Sequence, residues 1–126
     1  MIDKGIIKGR VLVVDDDPRI IDFLETALED EGYLVLAAVG AESLGVAHET
    51  QPAVILLDIN MPGMDGVEVS QRLRDNPVTA AIPIVVMSAQ DRLHATGPLM
   101  SVNDRLPKPF DLARLYEVVA RWTPAA

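Results

Sequence analysis

Four short segments of this chain are apolar almost throughout. Apolar and polar residues do not alternate in them, and this pattern limits the folds that the chain can adopt. The runs cover 10–15, 33–39, 53–58 and 82–89, and they read "RVLVVD", "YLVLAAV", "AVILLD" and "IPIVVMSA". Continuous apolar runs of this length, several of them rich in valine and isoleucine, are typical of strands buried on both faces. The chain is therefore expected to fold around a parallel β-sheet that helices cover on both sides.

Helix signals separate these runs, and capping residues mark where the helices begin and end. These markers are Asp17 and Pro18 before the first helix, Gly32 after it, Pro52 after the second, Asn76-Pro77 after the third and Asp111 before the last. A brief fifth strand is expected around Asp104–Leu106. Alternating strands and helices of this length predict an α/β fold with a doubly wound five-stranded parallel sheet, since a barrel would need about twice the chain.

The composition excludes several classes of function. The chain has 126 residues, which suits a single domain, and it has no cysteine, which excludes disulfides, thiolate zinc sites and thiol nucleophiles. Its formal net charge of −8 argues against direct binding of nucleic acid. The N-terminus lacks a signal-peptide core, and no apolar run approaches the roughly 18 residues of a membrane span. A cytoplasmic protein that does not contact a membrane is expected.

Polar side chains follow the predicted strands, at the edge where open α/β sheets bind ligands. They are Asp15 and Asp16 after the first strand, Asp58 after the third, Ser88 after the fourth and Lys108 after the fifth. Two carboxylates about 4 Å apart repel by about 4 kcal/mol at an effective dielectric of about 20, so the group needs a cation. All-oxygen ligands suit Mg²⁺, and a metal, a lysine and a hydroxyl around one carboxylate suit phosphoryl transfer. Asp58 is then the candidate nucleophile.

The motifs "VVDDDP", "LLDINMPGMDG", "VMSA" and "PKPF" occur in this order, each at the end of a predicted strand. With them the chain resembles a response-regulator receiver domain of two-component signalling, similar to the chemotaxis receivers, over nearly its whole length. The resemblance implies a flavodoxin-like (βα)5 fold with strand order 2-1-3-4-5. It implies a single receiver domain over residues 1–126, and no effector domain is expected in this chain. The implied partners are a histidine kinase or phosphotransfer protein and an output protein or effector domain, with a phosphorylation-dependent dimer as a further possibility.

The resemblance also implies roles for the site residues. Asp58 would accept the phosphoryl group, Ser88 would hydrogen-bond it, and Lys108 would pair with its oxygens. The implied metal ligands are Asp16, Asp58, the backbone carbonyl of Asn60 and, through a water molecule, Asp15. A cis peptide bond is expected between Lys108 and Pro109. Such a domain is not an enzyme in the usual sense, since it catalyses only its own phosphorylation and dephosphorylation.

The sequence departs from the receiver pattern between residues 88 and 110, the face through which partner binding is expected to switch. Arg105 stands where receivers commonly have tyrosine or phenylalanine, and an arginine is too costly to bury unpaired. Gly97 and Pro98 interrupt the helix expected before the fifth strand. Either a helix from Asp91 ends before Gly97, or a single turn begins at Pro98 with Gly97 as its cap.

Two alternatives remain open. The first is a scaffold with the receiver fold whose output ignores phosphate, which the irregular 91–105 segment favours. The second is a phosphatase of the haloacid-dehalogenase type, which would use Asp15 and Asp17 as its two aspartates. That pattern expects threonine or valine at position 19 instead of Arg19, and the chain has no room for a cap domain.

Overall fold

The computed structural model describes residues 7–59, 65–89 and 102–124. In these residues strands and helices alternate as far as the fourth strand, and a fifth strand and a last helix follow. The strands are β1 Gly9–Val14, β2 Tyr33–Ala38, β3 Val54–Asp58, β4 Ile84–Ala89 and β5 Asp104–Lys108. The helices are α1 Pro18–Asp30, α2 Glu42–Thr50, α3 Gly66–Asp75 and α4 Leu112–Trp122. None of these helices has the length and apolar character needed to cross a membrane.

The five strands form one sheet in the order β2-β1-β3-β4-β5, and every neighbouring pair is parallel. The chain begins in the middle of the sheet, adds β2 on one side and then builds β3, β4 and β5 on the other. The order therefore reverses at β1, where β1 and β3 are neighbours. This arrangement confirms the predicted doubly wound fold, and it puts the carboxyl ends of β1, β3, β4 and β5 at one edge.

Each face of the sheet has its own hydrophobic core, because successive residues of a strand point to opposite faces. On one face, Leu12, Ile55 and Ile84 pack with Val69 and Leu73 of α3. On the other face, the strand residues one position away pack with apolar side chains of α1 and α4. These residues include Val11, Val13, Leu56, Val85 and Met87 from the strands, Leu24 and Leu28 from α1, and Leu115 and Val118 from α4. Burial on both faces accounts for the continuous apolar runs in the sequence.

Aspartates cap three of the four helices in the described part of the chain. The side chains of Asp17, Asp65 and Asp111 accept hydrogen bonds from backbone N–H groups in the first turns of α1, α3 and α4. At the end of α1, Gly32 has a φ of +98°, in the left-handed region that favours glycine. Asp17, Asp111 and Gly32 were predicted in these roles from the sequence.

The fifth strand is longer than the segment Asp104–Leu106 expected from the sequence. It continues to Lys108 because the pairing with β4 extends to Ala89 opposite Lys108. Polar residues and a proline make this strand hard to recognise, and they are tolerated because β5 is an edge strand. The peptide bond between Lys108 and Pro109 is cis, as expected.

A half-buried arginine holds the start of β5 in place. The guanidinium of Arg74 donates to the carbonyls of Ala80 and Ile82 at 2.9 and 2.7 Å, and to Asn103 Oδ1 at 2.7 Å. Asn103 Oδ1 also accepts from the backbone of Ile84 at 2.9 Å. The end of α3 is thus tied to the starts of β4 and β5. Burial lowers the pKa of Arg74 from its ordinary value.

Several sequence predictions fall outside the described residues. They are the backbone carbonyl of Asn60, the end of a helix before Gly97 and the local effect of Pro98. They remain predictions.

Candidate functional site

The fold brings four of the predicted site residues to the carboxyl edge of the sheet. Asp15 follows β1, Asp58 is the last residue of β3, Ser88 lies near the end of β4 and Lys108 is the last residue of β5. Asp16 comes one residue later than Asp15. The strand order makes β1 and β3 neighbours, so their acidic ends meet at the point where the order reverses.

Asp15 is almost fully buried, with 1% of its surface exposed, and both of its carboxylate oxygens have partners. Oδ1 accepts a hydrogen bond from the backbone N–H of Asp17 at 2.9 Å. Oδ2 lies 3.3 Å from the ammonium nitrogen of Lys108. The tight turn after β1 therefore fixes the orientation of Asp15, and the carboxylate holds Lys108 in place.

Lys108 also contacts the second buried carboxylate. Its Nζ lies 3.5 Å from Oδ1 of Asp58, which is 5% exposed. About a quarter of the Lys108 side chain is exposed, whereas the two acids are almost completely covered. One ammonium group thus bridges Asp15 and Asp58, which are 43 positions apart in the sequence. Breaking such a buried pair on one side is costly, because the other charge is left uncompensated.

Asp16 completes a group of three carboxylates. Asp15, Asp16 and Asp58 each offer an oxygen, and these three oxygens lie within 4.8 Å of one another. Asp16 is exposed, so the group opens to solvent on that side. When ionised, three carboxylates beside one ammonium carry a formal charge of −2. The charge, the exclusively oxygen donors and the open side fit a hard divalent cation such as Mg²⁺.

Ser88 lies on the strand next to Asp58. Asp58 is paired with Met87 across the β3–β4 ladder, and Ser88 is the next residue on β4. It is 3% exposed, so its hydroxyl is one of the few buried polar groups at this edge. The ladder therefore holds Ser88 close to the end of β3, as the sequence predicted.

A close backbone contact requires glycine at position 66. A Cβ atom added to Gly66 would lie 2.6 Å from the carbonyl oxygen of Asp58 and 2.7 Å from Cα of Ile59. The amide of Gly66 also donates to the carbonyl of Ile59 at 2.9 Å. The start of α3 therefore packs directly on the backbone at Asp58. This contact is not evident from the sequence, because "DG" before a helix is equally typical of an ordinary turn.

Asp17 does not belong to the carboxylate group, although it is the third acid of "DDD". Its Oδ2 lies 3.2 Å from Arg19, and its Oδ1 caps α1 through the backbone N–H of Arg19. The hydrogen bond from the Arg19 side chain is the main reason why the pKa of Asp17 lies below its ordinary value. Its partners are therefore in α1, away from Asp58.

Arg105 is exposed on β5, in keeping with the cost of burying an arginine. His48 is exposed too, and its ring nitrogen Nδ1 lies 2.9 Å from the side-chain nitrogen of Asn76.

A family model described as the response regulator receiver domain matches residues 11–120. The chain is 45% identical over 122 residues to the transcriptional regulatory protein PrrA of Mycobacterium leprae, covering 94% of this chain and 50% of PrrA. It is 40% identical over 111 residues to the DNA-binding dual master transcriptional regulator RpaA of Synechocystis, covering 84% of this chain and 45% of RpaA.

A solved structure is similar as well. It is the receiver domain of the sensor histidine kinase PA1611 of Pseudomonas aeruginosa, solved with a magnesium ion in its active site cleft. The TM-score between that structure and this chain is 0.85 at 26% sequence identity, and the match covers 90% of this chain and 96% of that one. The chain spans half of PrrA and slightly less than half of RpaA. The match over residues 11–120, the strand order and the acidic edge of the sheet agree, and the chain belongs to the response regulator receiver domain family of two-component signalling.

Proposed function

We propose that this receiver domain accepts a phosphoryl group on Asp58 in a reaction that depends on Mg²⁺. The observation that carries the proposal is the Lys108 ammonium, 3.3 Å from Asp15 and 3.5 Å from Asp58, beside three carboxylate oxygens within 4.8 Å of one another. A nucleophilic carboxylate, a fixed cation and a place for a metal ion are the parts that phosphoryl transfer needs.

In the proposed reaction an oxygen of Asp58 attacks the phosphorus atom of a phosphohistidine on the donor protein. The new O–P bond forms as the P–N bond breaks, and the bonding electrons stay with the imidazole, which takes a proton from solvent. Lys108 pairs with an oxygen of the incoming group, and the Ser88 hydroxyl donates to another. Mg²⁺, when bound by Asp16, Asp58, the Asn60 carbonyl and, through water, Asp15, would neutralise charge on the phosphoryl oxygens.

The contacts of Asp15 suit a positioning role. Because its Oδ1 accepts from Asp17 and its Oδ2 pairs with Lys108, the carboxylate is held from two sides. The exposed Asp16 has the better access to a metal ion that arrives from solvent. This difference in burial supports Asp16 as the direct ligand and Asp15 as a ligand through water.

A small phosphodonor tests the proposal without a kinase. Acetyl phosphate and Mg²⁺ should add one phosphoryl group per chain, seen by intact-mass spectrometry. The product should be absent without Mg²⁺ and in Asp58→Asn, and present in Asp22→Asn, which removes an exposed acid of α1. Phosphate mapped to Asp15 would contradict the proposal and would favour the haloacid-dehalogenase alternative.

The proposed partners follow from the family. Receiver domains are phosphorylated by histidine kinases and regulate output domains. We propose that a histidine kinase or phosphotransfer protein is the donor, that an output protein or effector domain is the target, and that phosphorylation favours a dimer. PrrA is a transcriptional regulator and RpaA a DNA-binding one, and each is about twice as long as this chain. The acidic receiver itself is proposed not to contact nucleic acid or membrane, and to act in the cytoplasm.

The exposed Arg105 keeps the scaffold alternative open. In a phosphate-independent scaffold, beryllofluoride, which mimics the phosphoryl group, would bind the site without changing affinity for the output partner. In a switch it would change that affinity.

A further inference from the structure

A second concave site, the amino-edge site, lies at the opposite ends of the strands from the three-carboxylate group. The starts of β1 and β2, the turn after α2 and the segment that follows α4 form it. Its volume is about 450 Å³, and its lining includes Ile7, Lys8, Arg10, Leu34, Gln51 and Ala53. None of the lining residues belongs to the three-carboxylate group.

Positive charge is concentrated at this site. The lining that the structure describes contains Lys8 and Arg10 but no aspartate or glutamate. Neither of these exposed cations forms an ion pair with a described residue, and the guanidinium of Arg10 donates no hydrogen bond to one. The site therefore carries a formal charge of +2 on a chain whose net charge is −8.

The Lys8 side chain has a defined position on the surface. Its backbone N–H donates to the carbonyl of Gly32 at 2.9 Å. A Cβ atom added to Gly32 would lie 3.5 to 3.6 Å from three side-chain carbons of Lys8, so the lysine stem lies over the glycine. The ammonium nitrogen is 5.7 Å from the centre of the Tyr33 ring, within the range of a cation–π contact. The ring does not neutralise the ammonium, which keeps N–H donors for an anion.

One acid near the site does not neutralise it. Burial is the main reason why the pKa of Tyr33 lies above its ordinary value, and the charge of Glu31 adds to the shift. Glu31 forms no ion pair with Lys8 or Arg10, the two described cations of the site. Both cations therefore remain available to a ligand.

Apolar side chains lie beside the two cations. Arg10 is paired with Leu34 across the β1–β2 ladder, so their side chains are on the same face of the sheet. Leu34 is 40% exposed and Ile7 is 52% exposed, and both line the amino-edge site. A molecule that covers them removes apolar surface from water, which favours binding. The site thus combines groups that bind an anion with apolar surface.

We propose that the amino-edge site binds a small organic anion with an apolar chain, of the medium-chain carboxylate class. The carboxylate pairs with the guanidinium of Arg10, whose N–H groups match two oxygens, and with the ammonium of Lys8. The chain of the ligand covers Ile7 and Leu34. The volume of the site lies within the roughly 300–1,000 Å³ that is typical of sites for small ligands. The inference goes beyond the proposed function and does not rest on it.

The probe for the test is octanoate, and its binding is followed by shifts of the backbone amide signals in NMR spectra at low salt. The signals of Lys8, Arg10 and Leu34 should shift, and those around Asp58 should not. Octanamide has the same chain without the charge, and acetate has the charge without the chain. Each of these two controls should bind at least about tenfold more weakly than octanoate.

Substitutions at exposed positions assign the contacts. Arg10→Gln should weaken octanoate binding by about tenfold, because charged hydrogen-bond donors are lost. Leu34→Thr keeps a residue that suits a strand, and it should weaken binding by about threefold because apolar surface is removed. Arg105→Gln makes the same change of charge at an exposed arginine of β5 outside the site, and it should leave the affinity unchanged.

Three results would overturn the proposal. The first is equal affinity for octanoate and octanamide, since this would show that the cations play no part. The second is an equal loss of affinity in Arg10→Gln and Arg105→Gln, since this would show attraction by net charge alone. The third is a set of amide shifts that follows the octanoate concentration but lies outside the amino-edge site.

Asp58→Asn separates this inference from the proposed function. The variant should bind octanoate as the unsubstituted chain does, although it accepts no phosphoryl group. Octanoate binding by a chain that acetyl phosphate does not phosphorylate would uphold the amino-edge site and contradict the proposed function. Phosphorylation of Asp58 without any binding of octanoate would uphold the proposed function and contradict the amino-edge site.

Discussion

Lys108 connects the acidic ends of β1 and β3. Among the described cations, it alone contacts both Asp15 and Asp58. Lys108→Ala removes a positive charge from the place where a metal ion would bind. We therefore expect Mg²⁺ to bind a few-fold more tightly, because repulsion between the two cations is lost. Phosphorylation by acetyl phosphate should fall at least about tenfold, because the variant no longer neutralises a phosphoryl oxygen.

Calorimetry with Mg²⁺ and intact-mass kinetics measure the two effects in one preparation. Lys8→Ala, at an exposed lysine before β1, controls for the change in net charge. Weaker Mg²⁺ binding in Lys108→Ala would show that the lysine organises the carboxylates more than it repels the metal ion.

Gly66 offers a second test at the residue scale. Gly66→Ala places a methyl group 2.6 Å from the Asp58 carbonyl, so the backbone at Asp58 must shift. We expect a loss of about 1–3 kcal/mol in the free energy of unfolding, as for overpacking, together with slower phosphorylation. Urea denaturation and acetyl phosphate kinetics measure both.

Gly45→Ala is the matched control. Gly45 lies inside α2, and a Cβ there would meet nothing within 4 Å. Alanine should stabilise the protein by up to about 1 kcal/mol, because it is the better helix former. Equal effects of the two substitutions would mean that the contact at Gly66 is unimportant.

At the scale of elements, a part-buried hydrogen bond between Trp122, at the end of α4, and Asp104, at the start of β5, helps to tie the helix to the strand. The folded-state pKa of Asp104 is lowered from 3.8. Ionised Asp104 therefore stabilises the fold above its unfolded pKa, and this stabilisation is lost as the pH falls through the lowered value. We predict a change in Trp122 fluorescence with a midpoint below pH 3.8, absent in Asp104→Asn. Far-UV circular dichroism, recorded in parallel, separates this change from unfolding.

The position of Trp122 in α4 also predicts how its fluorescence behaves in a titration with Mg²⁺. Trp122 contacts Asp104, four residues before Lys108, and strand geometry puts these two positions about 13 Å apart. Mg²⁺ binding should therefore leave Trp122 fluorescence nearly unchanged, although calorimetry detects the ion. Strong quenching of this single tryptophan would place the metal away from the three carboxylates.

How well each element could be predicted depended on whether its signal was local. The apolar runs of β1 and β3 and the cap of α1 at Asp17 are written in neighbouring residues, so they were predicted correctly. The hydrogen bond between Arg74 and Asn103 joins residues 29 positions apart. The hydrogen bond between Trp122 and Asp104 joins residues 18 positions apart. No periodicity marks such pairs, because either partner alone is an ordinary surface residue.

The site was more predictable than these tertiary contacts. Parallel strands must bring their carboxyl ends together, so Asp15, Asp58 and Lys108 could be assigned to one edge from their positions after the strands. What the sequence could not give was the orientation of each side chain. The bridging of two carboxylates by Lys108 depends on the register of β5, which is set by its pairing with β4.

At the scale of the whole molecule, the net charge of −8 should influence how fast small donors react. Acetyl phosphate is an anion and is repelled by an acidic protein, and salt screens this repulsion over about 10 Å at 0.1 M. At saturating Mg²⁺, raising sodium chloride from about 20 to 200 mM should increase the phosphorylation rate by about two- to threefold. Phosphoramidate, which carries less negative charge, should respond less. A rate that falls with salt would indicate local attraction of the donor.

Because β5 is paired with β4 along its length, it can move as one rigid unit. Asp104, Leu106 and Lys108 alternate with Arg105 and Pro107 along the strand, so these three share one side of it. Leu106 is fully buried in the core beneath α4. One five-residue strand therefore has at its carboxyl end the Lys108 ammonium, which is proposed to pair with the phosphoryl group, and at its amino end Asp104, which accepts hydrogen bonds from Arg121 and Trp122. If a phosphoryl group displaced Lys108, Asp104 would move with it, because both residues belong to the same strand. No residue between them would need to unfold.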